Sequence, residues 1–118
     1  MTVIYIEDDE TEALLFRLGM GARGIEVLHI PDTQSETLAA LDTPEYQAAA
    51  AIFVDLWVGT LNGIEVSQFL RSRGDVRPIF LLTAGENPNA QLLQDLNVTY
   101  LQKPANFANL AAMIKKLL

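Results

Sequence analysis

Val3-Ile4-Tyr5-Ile6-Glu7-Asp8-Asp9 reads as a strand that runs into charge: four apolar residues, then three carboxylates in succession. The run is apolar at every position, the pattern of a strand covered on both faces, as in a parallel sheet. Three more runs repeat the design. Ala51-Ile52-Phe53-Val54 stops at Asp55, Ile79-Phe80-Leu81-Leu82 at Thr83, and Val98-Thr99-Tyr100-Leu101 just ahead of Lys103. In an open sheet of parallel strands the carboxyl ends lie along one edge, where ligands bind. Glu7, Asp8, Asp55, Thr83 and Lys103 are therefore expected to converge on one small site.

The intervening segments read as helices. The first covers about 10–20, presents Leu14, Leu15 and Leu18 on one face, and ends in the glycines at 19, 21 and 24. A second strand, Ile25 to Ile30, is closed by Pro31. A helix over about 34–42 follows with Leu38 and Leu41, then a connection at 43–47. The next helix follows Gly63, with Ile64, Val66, Phe69 and Leu70 apolar, and stops at Gly74. A short helix over about 88–96 has Asn87 as N-cap and Pro88 at its first position. The last strand is 98–102, and the last helix, from about 106, spaces Phe107, Leu110, Ile114 and Leu117 as one stripe. Five strand–helix units with right-handed crossovers imply an α/β fold with helices on both faces of a parallel sheet. Unit count and site logic suggest the strand order 2-1-3-4-5, with Glu7-Asp8 beside Asp55 at the switch point.

The 118 residues make one domain, 1–118, and at 50% apolar and 19% charged the chain is expected to fold. Without cysteine it has no disulfide, thiolate metal site or cysteine nucleophile. It shows neither a signal-peptide pattern nor an apolar run of membrane-spanning length, so no membrane insertion and a cytoplasmic location are expected. The net charge of -7 argues against direct nucleic-acid binding, which needs a basic patch. Lys115-Lys116, the one adjacent basic pair, suits the end of the last helix.

Carboxylates packed together at Asp8, Asp55 and Glu7 or Asp9 raise one another's pKa unless a cation compensates. Magnesium suits such oxygen ligands, with manganese as its substitute; zinc would call for His or Cys, and the chain has a single His. A carboxylate also serves as a nucleophile toward phosphorus. Asp55 can attack, the Thr83 hydroxyl can donate to one phosphoryl oxygen and Lys103 can pair with another.

With these residues in place the chain resembles, over its whole length, the receiver (phosphoacceptor) domain of two-component response regulators. Glu7 and Asp8 fall on that family's acid pair, Asp55 on its phosphoacceptor and Gly63 on the glycine eight residues beyond. Thr83-Ala84 is similar to the switch threonine and its small neighbour, Tyr100 to the switch aromatic, and Lys103-Pro104 to a Lys-Pro pair whose bond is usually cis. The resemblance implies a flavodoxin-like (βα)5 sheet. It also implies magnesium held by Asp8, Asp55 and the Trp57 backbone carbonyl, with Glu7 acting through water or as a second ligand. Asp55 would accept a phosphoryl group from a sensor histidine kinase or phosphotransfer protein, drawing Thr83 inward and turning Tyr100. That would alter the face formed by the fourth helix, fifth strand and fifth helix. The chain would catalyse only its own modification and so would not be an ordinary enzyme. If it ends naturally at Leu118, its output is contact with an unidentified downstream protein, with a homodimer one option.

The sequence also departs from the pattern. Many relatives have proline where Gly59 stands, and the fourth helix looks compressed between Thr83 and Lys103. Trp57 either shields the acyl phosphate from water or covers loop backbone or a partner surface. Blander roles fit other residues: Asp9 as a helix cap, His29 as a structural histidine, Tyr100 as sheet surface, and Met20 and Met113 as core fillers. Two other readings stay open. One is a pseudo-receiver that works as an interaction module without phosphorylation. The other is an aspartate-nucleophile phosphatase of the haloacid dehalogenase type, which expects an acidic residue where Trp57 stands.

Overall fold

The computed structural model describes residues 1–58, 61–85 and 89–117. Gly59, and the helix start expected at Asn87-Pro88, lie outside the described residues. Five strands build the main sheet: β1 (Thr2–Ile6), β2 (Glu26–Ile30), β3 (Ala51–Asp55), β6 (Ile79–Thr83) and β7 (Val98–Gln102). They run parallel in the order β2-β1-β3-β6-β7, the expected 2-1-3-4-5 once these strands alone are counted. Between β3 and the helix α4 (Gly63–Ser72) lies a small antiparallel pair not expected from sequence, β4 (Trp57–Val58) with β5 (Leu61–Asn62). The remaining helices are α1 (Glu10–Gly21), α2 (Ser35–Leu38), α3 (Pro44–Gln47), α5 (Ala90–Asp95) and α6 (Phe107–Lys116).

Alternation along each strand divides the core into two layers. Ile4, Ile6, Ile52, Val54, Ile79 and Leu81 pack with Val66 and Leu70 of α4 and Leu93 of α5. Val3, Tyr5, Phe53, Phe80 and Leu82 pack with Phe16 and Met20 of α1 and Leu110 and Ile114 of α6. Here Phe16 lies 4.2 Å from Tyr5 and 5.2 Å from Phe53 between ring centroids, and Phe53 lies 4.9 Å from Phe80. These rings pack directly beneath the carboxyl edge.

Several helices differ in detail from the sequence expectation. α1 turns Ala13, Phe16 and Met20 inward, while Leu14, Leu15 and Leu18 are more than half exposed. Its rotation follows close packing on α6, where a Cβ at Gly19 would collide with the Phe107 ring. The helix expected over 34–42 is split: α2 gives way to a 3-10 turn, Ala39–Asp42, and Thr43 is extended (φ -76°, ψ 150°) ahead of Pro44, which opens α3. Proline disfavours helical backbone in the residue before it, hence the break. α5 starts from Asn89, whose side chain accepts from Leu92 N. On α6 the expected stripe holds at Leu110 and Ile114, but Leu117 is exposed.

At the amino edge two arginines tie loops together. Arg71 donates to the carbonyls of Asp75, Arg77, Leu96 and Asn97. Arg77 donates to those of Tyr46 and Ala49 and pairs with Asp75 at 2.7 Å. Among the described residues, no helix is long and apolar enough to cross a membrane.

Candidate functional site

The carboxyl ends of β1, β3, β6 and β7 bring together the residues singled out in the sequence. Register places Ile6 beside Val54 and Asp55 beside Leu82, so Glu7 and Asp55 leave the sheet as neighbours. Lys103 follows β7 through its backbone bond to the Thr83 carbonyl, 2.8 Å, and precedes a cis peptide to Pro104. Its ammonium lies 2.5 Å from Asp55 Oδ1, 2.6 Å from Glu12 Oε2 and 3.8 Å from Glu7 Oε2. Asp55 Oδ1 is shut off from solvent and makes no aligned hydrogen bond among the described residues. Its contact with Lys103 is one of charge, not of a directed N–H.

Burial decides the charge states. Glu7 is 1% exposed. Its carboxyl is pushed up to about 9 by burial, by hydrogen bonds with the Glu12 and Asp8 side chains and by the Asp55 charge, against the pull of the Asp9 N–H. Tyr5 lies beneath it with its hydroxyl 3.3 Å from Glu7 Oε2, and burial together with that neighbouring acid raises its pKa too. Burial likewise raises Asp55, although Lys103 pulls it down. For Glu12 burial works upward, but hydrogen bonds from Lys103 and Glu7 prevail and hold it below the usual carboxylate range. Burial works to lower the Lys103 ammonium; the neighbouring Asp55 and Glu12 carboxylates prevail and raise it. In the mostly buried site, one cation thus serves three acids.

Two backbone devices fix Asp55. Gly63 N donates to the Leu56 carbonyl at 2.5 Å, and a Cβ at Gly63 would strike the Asp55 carbonyl oxygen. Only glycine allows that approach. Asn62 caps α4 through Ile64 N at 2.7 Å, and buried Ser67 donates to the Gly63 carbonyl at 2.9 Å.

No family model matches the chain. It is 30% identical over 122 residues to the response regulator MprA of Mycobacterium avium, covering 100% of this chain and 51% of that one. It is 31% identical over 120 residues to the transcriptional regulatory protein QseB of Haemophilus influenzae, covering 100% and 52%. The Francisella response regulator 1452 receiver domain superposes with a TM-score of 0.79 at 21% identity, covering 98% of this chain and 94% of that one. The chain thus has the fold of a receiver domain and resembles response regulators over its whole length. It spans about half the length of the MprA and QseB relatives.

At this edge the expected residues are not equally central. Glu7, Asp55 and Lys103 meet. Asp8 is exposed at the mouth and reaches the Glu7 side chain. Thr83 is 5% exposed, and its Oγ1 accepts from Gly85 N at 3.1 Å. Tyr100, packed against the α4 side of the core, donates its hydroxyl to the Gly85 carbonyl at 2.5 Å, so both switch candidates hang on one residue. The Trp57 side chain is 57% exposed. Asp9 is the α1 cap, bonding Glu12 N at 3.0 Å. His29 is more than a spacer on β2: its Nε2 lies 2.6 Å from the Glu7 carbonyl, to which it donates, pinning the start of the acidic turn.

Sequence reasoning missed Glu12. Oxygens of Glu7, Glu12 and Asp55 all lie within 4.8 Å of one another, an oxygen-only donor set that could hold a metal ion. With the buried Asp55 Oδ1 lacking an aligned hydrogen bond, it fits a hard divalent cation. The available signal was position: one helical turn beyond Asp8-Asp9, Glu12 projects from the same side of α1.

Proposed function

We propose that this receiver domain accepts a phosphoryl group on Asp55 from the phosphohistidine of a sensor histidine kinase or phosphotransfer protein. The observation that carries this reading is Asp55 Oδ1: buried, short of an aligned hydrogen bond among the described residues, and 2.5 Å from Lys103 at the sheet's ligand edge. Its oxygen attacks phosphorus as the donor's bond to the phosphoryl group breaks, and no proton is needed from Asp55. Lys103 takes one phosphoryl oxygen, and Thr83 another once its hydroxyl leaves Gly85 N. Glu7, Asp8, Asp55 and the Trp57 carbonyl would hold magnesium, which supplies charge neutralisation for the acids and the phosphoryl oxygens.

Because Thr83 and Tyr100 share Gly85 as partner, movement of Thr83 disturbs the loop carbonyl that Tyr100 holds. That route leads to the face of α5, β7 and α6, where a downstream protein or a second copy would dock. In this reading the domain turns over no separate substrate and works in the cytoplasm.

Intact-mass measurement after incubation with acetyl phosphate, with and without magnesium, tests the proposal. The expected result is one magnesium-dependent phosphoryl group, absent from Asp55→Asn. A folded protein that gains none from any small donor is a pseudo-receiver instead.

A further inference from the structure

Glu12, one of the three acids whose oxygens could hold a metal ion, also sits on the cation the reaction uses. Its carboxylate is 2.6 Å from Lys103 Nζ, essentially as near as Asp55 at 2.5 Å, while its side chain remains 43% exposed. A cavity of about 490 Å³ opens beside it, walled by Leu15, Phe16, Pro104 and Phe107, and among the described residues the only charged groups lining it are Glu12 and Lys103. Apolar walls weaken solvent screening, so a charge there acts over a longer range than on an open surface.

We propose that Glu12 is a specificity-determining residue for the phosphoryl donor, holding the Lys103 ammonium at the mouth of the site and disfavouring donors in proportion to their negative charge. The inference rests on the reading of Asp55 as phosphoacceptor. Incoming donor oxygens need Lys103, so they must draw it away from Glu12 and stand near the Glu12 carboxylate. The first cost is the same for every donor, whereas the repulsion from Glu12 grows with the charge on the donor. A protein donor that screens Glu12 on docking escapes much of this penalty, whereas a free dianion does not.

Two small donors separate charge from chemistry. From acetyl phosphate, a bond forms from Asp55 oxygen to phosphorus, the phosphorus–oxygen bond breaks, and acetate leaves with the electron pair. From phosphoramidate the same bond forms, the phosphorus–nitrogen bond breaks, and ammonia leaves with protons already on nitrogen. Both yield the same acyl phosphate, but near neutral pH acetyl phosphate carries about one more negative charge. The ratio of the two rates therefore reports the charge of the site and cancels a general loss of activity.

The test measures both rates with magnesium in the wild type, Glu12→Gln and Glu12→Asp. Glu12→Gln should raise the ratio of acetyl phosphate to phosphoramidate rates about fivefold, the effect of one partly screened charge at close range. Glu12→Asp, which keeps the charge, should stay near the wild-type ratio. A Glu12→Gln ratio equal to that of wild type, with phosphorylation otherwise normal, overturns the role of Glu12 alone. A wild type that gains no phosphoryl group from either donor, or an Asp55→Asn variant that gains one, overturns the reading of Asp55 and this inference with it.

Discussion

Gly63→Ala sets two effects of similar size against each other, and the geometry decides between them. Gly63 opens α4, and alanine in a helix is favoured over glycine by about 1 kcal/mol, less at a first position. Against that, the new methyl would collide with the Asp55 carbonyl oxygen and lie 2.7 Å from Leu81 Cδ1. The leucine can turn, but the carbonyl cannot, because β3 is paired on both sides, with β1 and β6. Overpacking of this kind costs about 1–3 kcal/mol, so the clash wins, by about 1–2 kcal/mol net. For a domain of this size the melting temperature should fall by roughly 4–8 °C. Relief of the clash must also shift the backbone that carries the Asp55 carboxylate. A displacement near 1 Å at a reacting group costs on the order of a hundredfold, and we expect the rate with acetyl phosphate to fall at least about tenfold. Thermal melts and intact-mass time courses on the same samples read both quantities. A Gly63→Ala protein that melts at or above the wild type and is phosphorylated at an unchanged rate would refute the reasoning.

Other outcomes follow from residues away from that contact. Asp75→Asn breaks the pair with Arg77 at 2.7 Å, whose side chains are 11% and 19% exposed, and should cost about 1–2 kcal/mol at pH 7. Burial works to raise the Asp75 pKa, but Arg77 prevails and lowers it; the stabilisation is therefore complete above its unfolded value and disappears as pH falls through the folded one. Denaturant titrations at pH 7 and pH 3 should show the variant's deficit shrinking in acid, and an equal deficit at both would contradict this. Trp57→Asn should leave the phosphoryl lifetime within about twofold of wild type, because an indole 57% exposed to solvent screens little. A lifetime shortened about tenfold would restore the shielding role.

The fold was legible because apolar runs in β1, β3 and β6 have no polar alternation, which pointed to a sheet covered on both faces and so to parallel strands with one ligand edge. Glu7, Asp55 and Lys103 were legible for the same reason: strand ends are located by where the runs stop. Helix rotation was harder. Leu14, Leu15 and Leu18 outweigh Ala13 and Met20 in hydrophobicity, but the close approach of Gly19 to Phe107 sets which side of α1 faces inward, and those two residues lie far apart in sequence. Glu12 was hidden because an acidic residue in a helix's first turn is already explained by the helix dipole. His29 was hidden because its partner is a backbone carbonyl, which leaves no trace in side-chain chemistry. The β4–β5 pair is two residues per strand, too short for any periodicity to reveal.

The arginines of the amino edge have a consequence for how the molecule comes apart. Arg71 and Arg77 each rivet several loops below β3, β6 and β7 through backbone carbonyls, whereas the opposite edge is held by charges gathered around a single lysine and by one-to-one bonds such as those of His29 and Tyr100. Local opening, read as amide hydrogen exchange, is therefore cheapest at the top and dearest at the base. The loops that respond to a signal can change shape while the foundation stays shut, and a domain built this way tolerates replacement of its upper loops far better than of its lower ones.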